Sequence, residues 1–233
     1  MDHGFQRAAH LGEPVRLPAL AGGALWVGVT FAAAASGRLR FDTVPPTMGV
    51  LLIASWAMAL RLGLGRTGSR LAQSTPLALL VLVQAFRLPL ELLMHRAYGE
   101  GLMPVQMSFS GRNFDIVTGT TALLLGVAMT AWRGRVPPRL VLAWNVIGTL
   151  LLANVLVIAL LSAPTPLRVF MNEPANVWIA HAPWVWLATV FVPAAIAGHV
   201  IIFRRLRMEA RGVAPSSSRT AEHHPSPELA GVA

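Results

Sequence analysis

Gln84, Arg87, Glu91 and His95 follow one another at spacings of 3, 4 and 4 in a stretch otherwise dominated by Leu, Val, Phe and Met. At 100° per residue these positions fall within an arc of about 80°, one stripe on one helix face. A guanidinium, a carboxyl and an imidazole on one face can hold an anion, exchange protons or bind a small polar ligand. Four residues apart, Arg87 and Glu91 are placed to neutralise each other. Pro89 lies between them and donates no backbone hydrogen bond, which frees the carbonyl of Ala85 and bends a helix.

A second group follows in Ser110-Gly111-Arg112-Asn113-Phe114-Asp115, a turn into a helix start. Asn113 suits the N-cap, and Asp115 suits the positive end of the helix dipole. Asp115, Thr118, Gly119, Ala122 and Gly126 then share one face about 100° wide, whose small residues admit a neighbouring backbone. The natural neighbour is the helix carrying the stripe. The candidate site is therefore Gln84, Arg87, Glu91, His95, Arg112, Asn113 and Asp115. Arg87 would hold an anionic group or balance Glu91, and Glu91 with His95 would exchange protons. Asp115 and Arg112 would shape the rim, and no catalytic residue is assigned. Two plainer readings stay open: the stripe as an ion pair that pins helix packing, and Asp115 as a dipole cap alone.

These residues need elements to carry them, and the composition says which. Of 233 residues 55% are hydrophobic and 12% charged, with mean hydropathy +0.58. Long uncharged runs alternate with short basic connections, the pattern of membrane spans, each needing about 20 residues. Six segments qualify: 17–36, 44–62, 75–96, 114–132, 139–163 and 183–203. The fold class expected is all-α, a polytopic transmembrane helix bundle of six spans covering 17–207. A cytoplasmic segment 1–16 precedes it, and a disordered polar tail 208–233 follows. The runs do not alternate apolar and polar residues as barrel strands do. The first segment reads alternatively as a cleaved signal peptide, with 32–36 as the small-residue site.

The positive charge is all arginine. Of 19 such residues, 13 fall on the side holding both termini, five on the other, and Arg87 lies within a span. By the positive-inside rule both termini are cytoplasmic, in an inner membrane of bacterial type. Trp56, Trp132 and Trp144 would then mark the inner interface, and Trp178, Trp184 and Trp186 the outer one. Arginines that punctuate apolar segments do not form the basic face that nucleic acid requires. With no Cys, disulfides, thiolate metal sites and thiol nucleophiles are excluded.

Other signals are weaker. The outer loop 164–182 holds Asn172, Glu173, Asn176 and His181 among prolines, either as a roof over the stripe or as a stiff connector. Glu91, His95, Asp115 and His181 have metal-donor chemistry but no recognised metal motif, so no metal ligand is assigned and the cofactor stays unknown. Asn145 and Asn154 lie on opposite faces of one helix and suit interhelical hydrogen bonds. His199 reads as a packed or interfacial histidine.

Five stretches carry a resemblance: Phe86-Arg87-Leu88-Pro89-Leu90-Glu91, Gly111-Arg112-Asn113-Phe114-Asp115-Ile116, Trp144-Asn145, Ser162-Ala163-Pro164-Thr165-Pro166 and Pro183-Trp184-Val185-Trp186. In this order they resemble a family of uncharacterised multispanning bacterial inner-membrane proteins, over roughly residues 86–199. In that family's pattern an acidic residue precedes the Gly-Arg-Asn, where this chain has Ser110. The resemblance implies a membrane fold and names no activity. The expectation is an integral inner-membrane protein whose outward-facing polar pocket binds a proton, ion or small polar ligand, with transport compatible. Its partners would be the lipid bilayer, that ligand and, for a six-helix carrier, further copies of itself. Two other classes stand beside it: a metal- or haem-binding membrane enzyme or redox subunit, and a structural or assembly subunit.

Overall fold

A computed structural model describes residues 13–132 and 136–212, with side chains from residue 20 onward. Most of the segment 1–16, the tail beyond 212, and Arg7, Arg133, Arg135 and Arg219 lie outside the described residues.

Among the described residues every regular element is helical: α1 (Glu13–Ala35), α2 (Thr47–Leu64), α3 (Arg66–Ser74), α4 (Leu77–Gly99), α5 (Asp115–Ala131), α6 (Pro138–Ser162) and α7 (Leu187–Ala210). Each of the six expected segments coincides with one helix. α2, α4, α6 and α7 are long and apolar enough to cross a membrane, and Leu20–Ala35 of α1 and Asp115–Ala131 are shorter apolar helices. Only 22–39% of each long span's apolar window is buried, so most of its apolar surface faces outward.

Three departures from the sequence reading have local causes. The connection after α2 folds as the amphipathic α3, which buries Gly68 and Ala72 and ends where Thr75, extended ahead of Pro76, cannot continue a helix. α4 is interrupted by a three-residue 3-10 turn, Gln84–Phe86, just before Pro89. A proline denies its i−4 carbonyl a partner and the backbone tightens nearby. α7 opens with a π-helical turn, Leu187–Phe191, ahead of Pro193. Pro193 likewise frees the carbonyl of Thr189, and the Trp26 indole N–H donates to it at 3.0 Å. With the Trp186 indole donating to the Val27 carbonyl at 3.1 Å, α1 is fastened to the start of α7.

α7 is the hub: α2, α3, α4 and α6 pack on it, while α5 lies along α4 and touches α6. One end of the bundle is tied by arginine. Arg204 donates to the carbonyls of Gly63 (2.8 Å) and Gly65 (3.1 Å) and to the Ser69 hydroxyl, and Arg205 donates to the Ala72 carbonyl at 2.9 Å. These bonds satisfy carbonyls that the ends of α2 and α3 leave open. The opposite end carries the two longer loops. Two apolar clusters fill the interior. Val81, Ala122, Val141 and Ile202 lie toward the arginine end, and Met94, Met107, Ile158 and Trp178 toward the loop end. Two tryptophans expected at the rims are interior instead. Trp144 is 9% exposed and donates to Thr121 Oγ1 at 3.0 Å, and Trp178 is 4% exposed and packs edge-on against Trp184.

Candidate functional site

Between the two apolar clusters lies a connected set of buried polar side chains. Its first member is Arg87, 3% exposed, 10 residues after Leu77 and 12 before Gly99, the midpoint of α4. Arg87 Nε donates to Asp115 Oδ2 at 2.6 Å, and a terminal nitrogen donates to Asp115 Oδ1, a two-pronged ion pair between α4 and α5. The other terminal nitrogen lies 2.8 Å from His199 Nε2 on α7. A guanidinium only donates, so Nε2 must accept, which makes His199 the neutral Nδ1–H tautomer. Its Nδ1–H then donates to Asn145 Oδ1 at 2.8 Å on α6, while Asn145 Nδ2 donates to the His199 carbonyl at 3.2 Å. Every direction in this chain of bonds follows from the one group that cannot accept.

The other branch climbs toward the loop end. Asn113 Oδ1 accepts from the Asp115 backbone N–H at 3.0 Å. Phe114, not Asn113, occupies the N-cap position of α5, so Asn113 serves the helix start from one residue further out. Asn113 Nδ2 contacts both oxygens of Glu91 at 3.0 and 2.8 Å and the Met107 carbonyl at 2.9 Å. Four helices, α4 to α7, are thus joined through six side chains.

Two glycine contacts set the spacing. A Cβ on Gly119 would lie 2.4 Å from the Leu88 backbone nitrogen, and one on Gly126 would lie 2.9 Å from Leu82 Cβ. The small face of α5 therefore lies directly on the α4 backbone, which brings Asp115 within reach of Arg87.

The expected site divides in two. Gln84, Arg87, Glu91, Asn113 and Asp115 are all buried, at 0–5% exposure. The i,i+4 pairing of Arg87 with Glu91 does not form, because Asp115 offers both oxygens to the guanidinium and Glu91 turns to Asn113. Gln84 points its amide at α7, with Nε2 3.5 Å from the Ala195 carbonyl. His95 is half-buried near the loop end, stacked on Phe109 at 4.2 Å with Nδ1 3.3 Å from Ser110 Oγ, and does not join Glu91. Arg112 is exposed, with its guanidinium 5.2 Å over the Phe170 ring. Conversely, His199 and Asn145 belong to the network. Among the described residues no three His, Asp or Glu side chains converge as a metal site.

Beside this network, toward the loop end, is a cavity of about 390 Å³ between α2, α4, α6 and α7. Arg87, Glu91 and Asp115 contribute to its wall, and the rest is overwhelmingly apolar. Pro166, Leu167, Trp178 and Ile179 of the loop between α6 and α7 also line it, so that loop does roof the site. The roof is fixed to the bundle: Asn172 Nδ2 donates to Gln106 Oε1 and Gln106 Nε2 to Ser162 Oγ, both at 2.8 Å, and Asn176 Nδ2 donates to the Ala159 carbonyl at 2.9 Å.

A family model described as a domain of unknown function (DUF8737) matches residues 44–207. The chain belongs to that family. The DUF8737 region takes in α2 to α6, most of α7, every member of the network and the whole cavity wall except Phe41. The five motifs behind the resemblance to an uncharacterised family all fall inside it. No curated protein and no solved structure matches the chain significantly.

One pH response follows from the roof. Arg168 donates to Glu173 Oε1 at 2.9 Å and the Ala175 N–H donates to Oε2 at 2.7 Å, which together hold the Glu173 carboxyl below the ordinary glutamate value. A depressed value means that the bonds contribute fully above about pH 4.3 and are lost as pH falls through the folded value. Acidification from pH 6 to about pH 3 should therefore raise the rate of proteolysis within the loop between α6 and α7. Glu173→Gln should flatten that rise, and an unchanged acid response in the variant would mean that the loop is held by other bonds.

Proposed function

We propose that the chain is an integral inner-membrane protein whose six apolar helices span the bilayer, both termini cytoplasmic, and whose cavity binds a small ligand beside Arg87, Asp115 and Glu91. The arginine-tied end is the cytoplasmic face and the two-loop end the outer face, as the excess of positive charge requires. One observation carries the ligand reading: a cavity of about 390 Å³, within the volume range of small-molecule sites, reaches a buried ion pair and a second buried carboxyl. Three ionisable groups within spans are costly, near 3 kcal/mol each at a helix centre on insertion scales, so they face protein or a cavity and mark function. Transport fits this arrangement as well as binding does.

A second reading has its own support. The Arg87 network joins four helices with its hydrogen bonds largely made, as a structural or assembly subunit would need. Against the metal reading, Glu91, Asp115 and His95 turn to Asn113, Arg87 and Ser110 respectively.

The natural absence of cysteine makes single-cysteine labelling the direct experiment. Val44→Cys and Met171→Cys should react with a membrane-impermeant maleimide on outward-facing cells, whereas Ser74→Cys should react only after permeabilisation. Ala188→Cys, on the cavity wall, should react with a small permeant thiosulfonate far faster than Ala122→Cys, buried in the other cluster. Labelling of Ser74→Cys from outside would reverse the topology. Equal rates at 188 and 122 would mean that the cavity is closed to ligands.

A further inference from the structure

The charged groups on the cavity wall do not balance. Arg87 spends two nitrogens on the two oxygens of Asp115 and the third on neutral His199, so Asp115 matches its charge. Among the described residues Glu91, 3% exposed, receives only the Asn113 amide. That amide has two hydrogens and also serves the Met107 carbonyl, while a carboxylate offers about four acceptor sites. Among the described residues one cation against two carboxylates leaves the wall one negative charge in excess when all are ionised.

A second observation, on a different element, adds an acceptor to this wall. Asn176 is fully buried and lines the cavity, and its Oδ1 has no hydrogen-bond partner among the described residues. Its orientation is fixed, because the amide nitrogen is the atom that donates to Ala159. A buried acceptor left unpaired costs free energy that a donor from a ligand would recover. Trp178 lines the same space, and an indole face attracts cations. The remaining wall, including Leu52, Leu152, Val155 and Ile179, is apolar. Among the described residues the cavity therefore offers acceptors, π-faces, hydrocarbon and two unpartnered indole N–H groups (Trp56 and Trp178), while its one guanidinium is already occupied.

We infer that the cavity binds a monocationic amphiphile, an alkylammonium-type head on an apolar body. The head sits at the Glu91 carboxylate, and the body lies along the apolar wall between α2 and α6. This rests on the ligand-cavity reading above and adds the sign of the head. An anionic amphiphile would meet two carboxylates and, among the described residues, only the uncharged indole N–H groups of Trp56 and Trp178 as free donors. A neutral one would bring no charge to the Glu91 carboxylate, which would then hold a proton in the cation's place.

The test uses the full chain in phosphatidylcholine nanodiscs, with empty nanodiscs as the partitioning control, and reads tryptophan emission and unfolding temperature. The probes are n-octylamine, n-octanol and n-octanoate, which share a body and differ in the head. Octylamine should bind about tenfold or more tighter than octanol, with octanoate weakest, since a charge-assisted bond is involved. Glu91→Gln should bring octylamine and octanol to similar affinity. The comparison of heads on the native chain decides the sign by itself if that variant does not fold. Equal binding of all three, or a preference for octanoate, overturns the cationic head and leaves the cavity standing. No binding by any probe overturns the cavity reading with it.

Discussion

Replacing Asp115 with Ala should destabilise the protein by about 3–5 kcal/mol, the range for removing one partner of a buried ion pair. The cost arises because Arg87, 3% exposed at the midpoint of α4, would keep its charge and lose both acceptors on α5. Guanidinium cannot shed its proton to escape. The informative comparison is the double variant Arg87→Met/Asp115→Leu. A buried pair exchanged for apolar groups of similar volume is often neutral, so most of the loss should return. Recovery should fall short by about 1–3 kcal/mol, because His199 Nε2 would be left without its donor. Equilibrium unfolding in mixed micelles with increasing dodecyl sulfate measures all three proteins. A cost below about 1 kcal/mol for Asp115→Ala would mean that the two side chains do not depend on each other.

The same comparison separates the two functional readings. If the network only pins helices, the double variant should behave as the native chain wherever it folds. If the network forms the wall of a ligand site, its fold should return while amphiphile binding changes, since two of the three charged groups on the wall would be gone and Glu91 would stand alone.

How far the sequence foretold this site depends on the range of each signal. The stripe of Gln84, Arg87 and Glu91 is a within-helix pattern, and the period that placed them together also places them inward. The face of Gly119, Ala122 and Gly126 is another such pattern, and it lies against α4 as its small residues suggest. The pairing across helices was not legible. At i,i+4 Glu91 is the nearest acid in the chain to Arg87, yet Asp115, 28 residues on, takes the bond. Local spacing ranks partners by sequence distance, whereas a buried guanidinium is satisfied by whichever carboxylate presents both oxygens in its plane. Sequence alone reads His199 as a packed histidine and Asn145 as an interhelical hydrogen-bonder, and both readings hold; what escaped was that they meet each other and Arg87, because they lie on different helices. A polar residue at mid-span is itself a signal that some other helix supplies its partner. α3 escaped because nine mostly polar residues read as a connection, and only packing against α2 and α7 gives its buried Gly68 and Ala72 a role.

The second large effect concerns Gly119 and tests how the site is held at its spacing. Gly119→Ala should cost about 1–3 kcal/mol, the range for overpacking, with Gly119→Val worse. The added carbon would stand 2.4 Å from the Leu88 nitrogen and 3.0 Å from the Arg87 carbonyl carbon, which are backbone atoms that no rotamer change can move. α5 must therefore retreat from α4, and the retreat lengthens the Arg87–Asp115 bonds four residues away on the same face. The control is Gly28→Ala on α1, where nothing lies within 4 Å of the new carbon. There the change should be neutral or stabilise by up to about 1 kcal/mol, because alanine is the better helix former. One chemical change with opposite signs at two positions cannot be a composition effect, so the contrast isolates the close approach of α5 to α4. Should Gly119→Ala unfold at the same dodecyl sulfate fraction as Gly28→Ala, the two helices do not touch there. The ion pair that their contact brings together would then need another explanation.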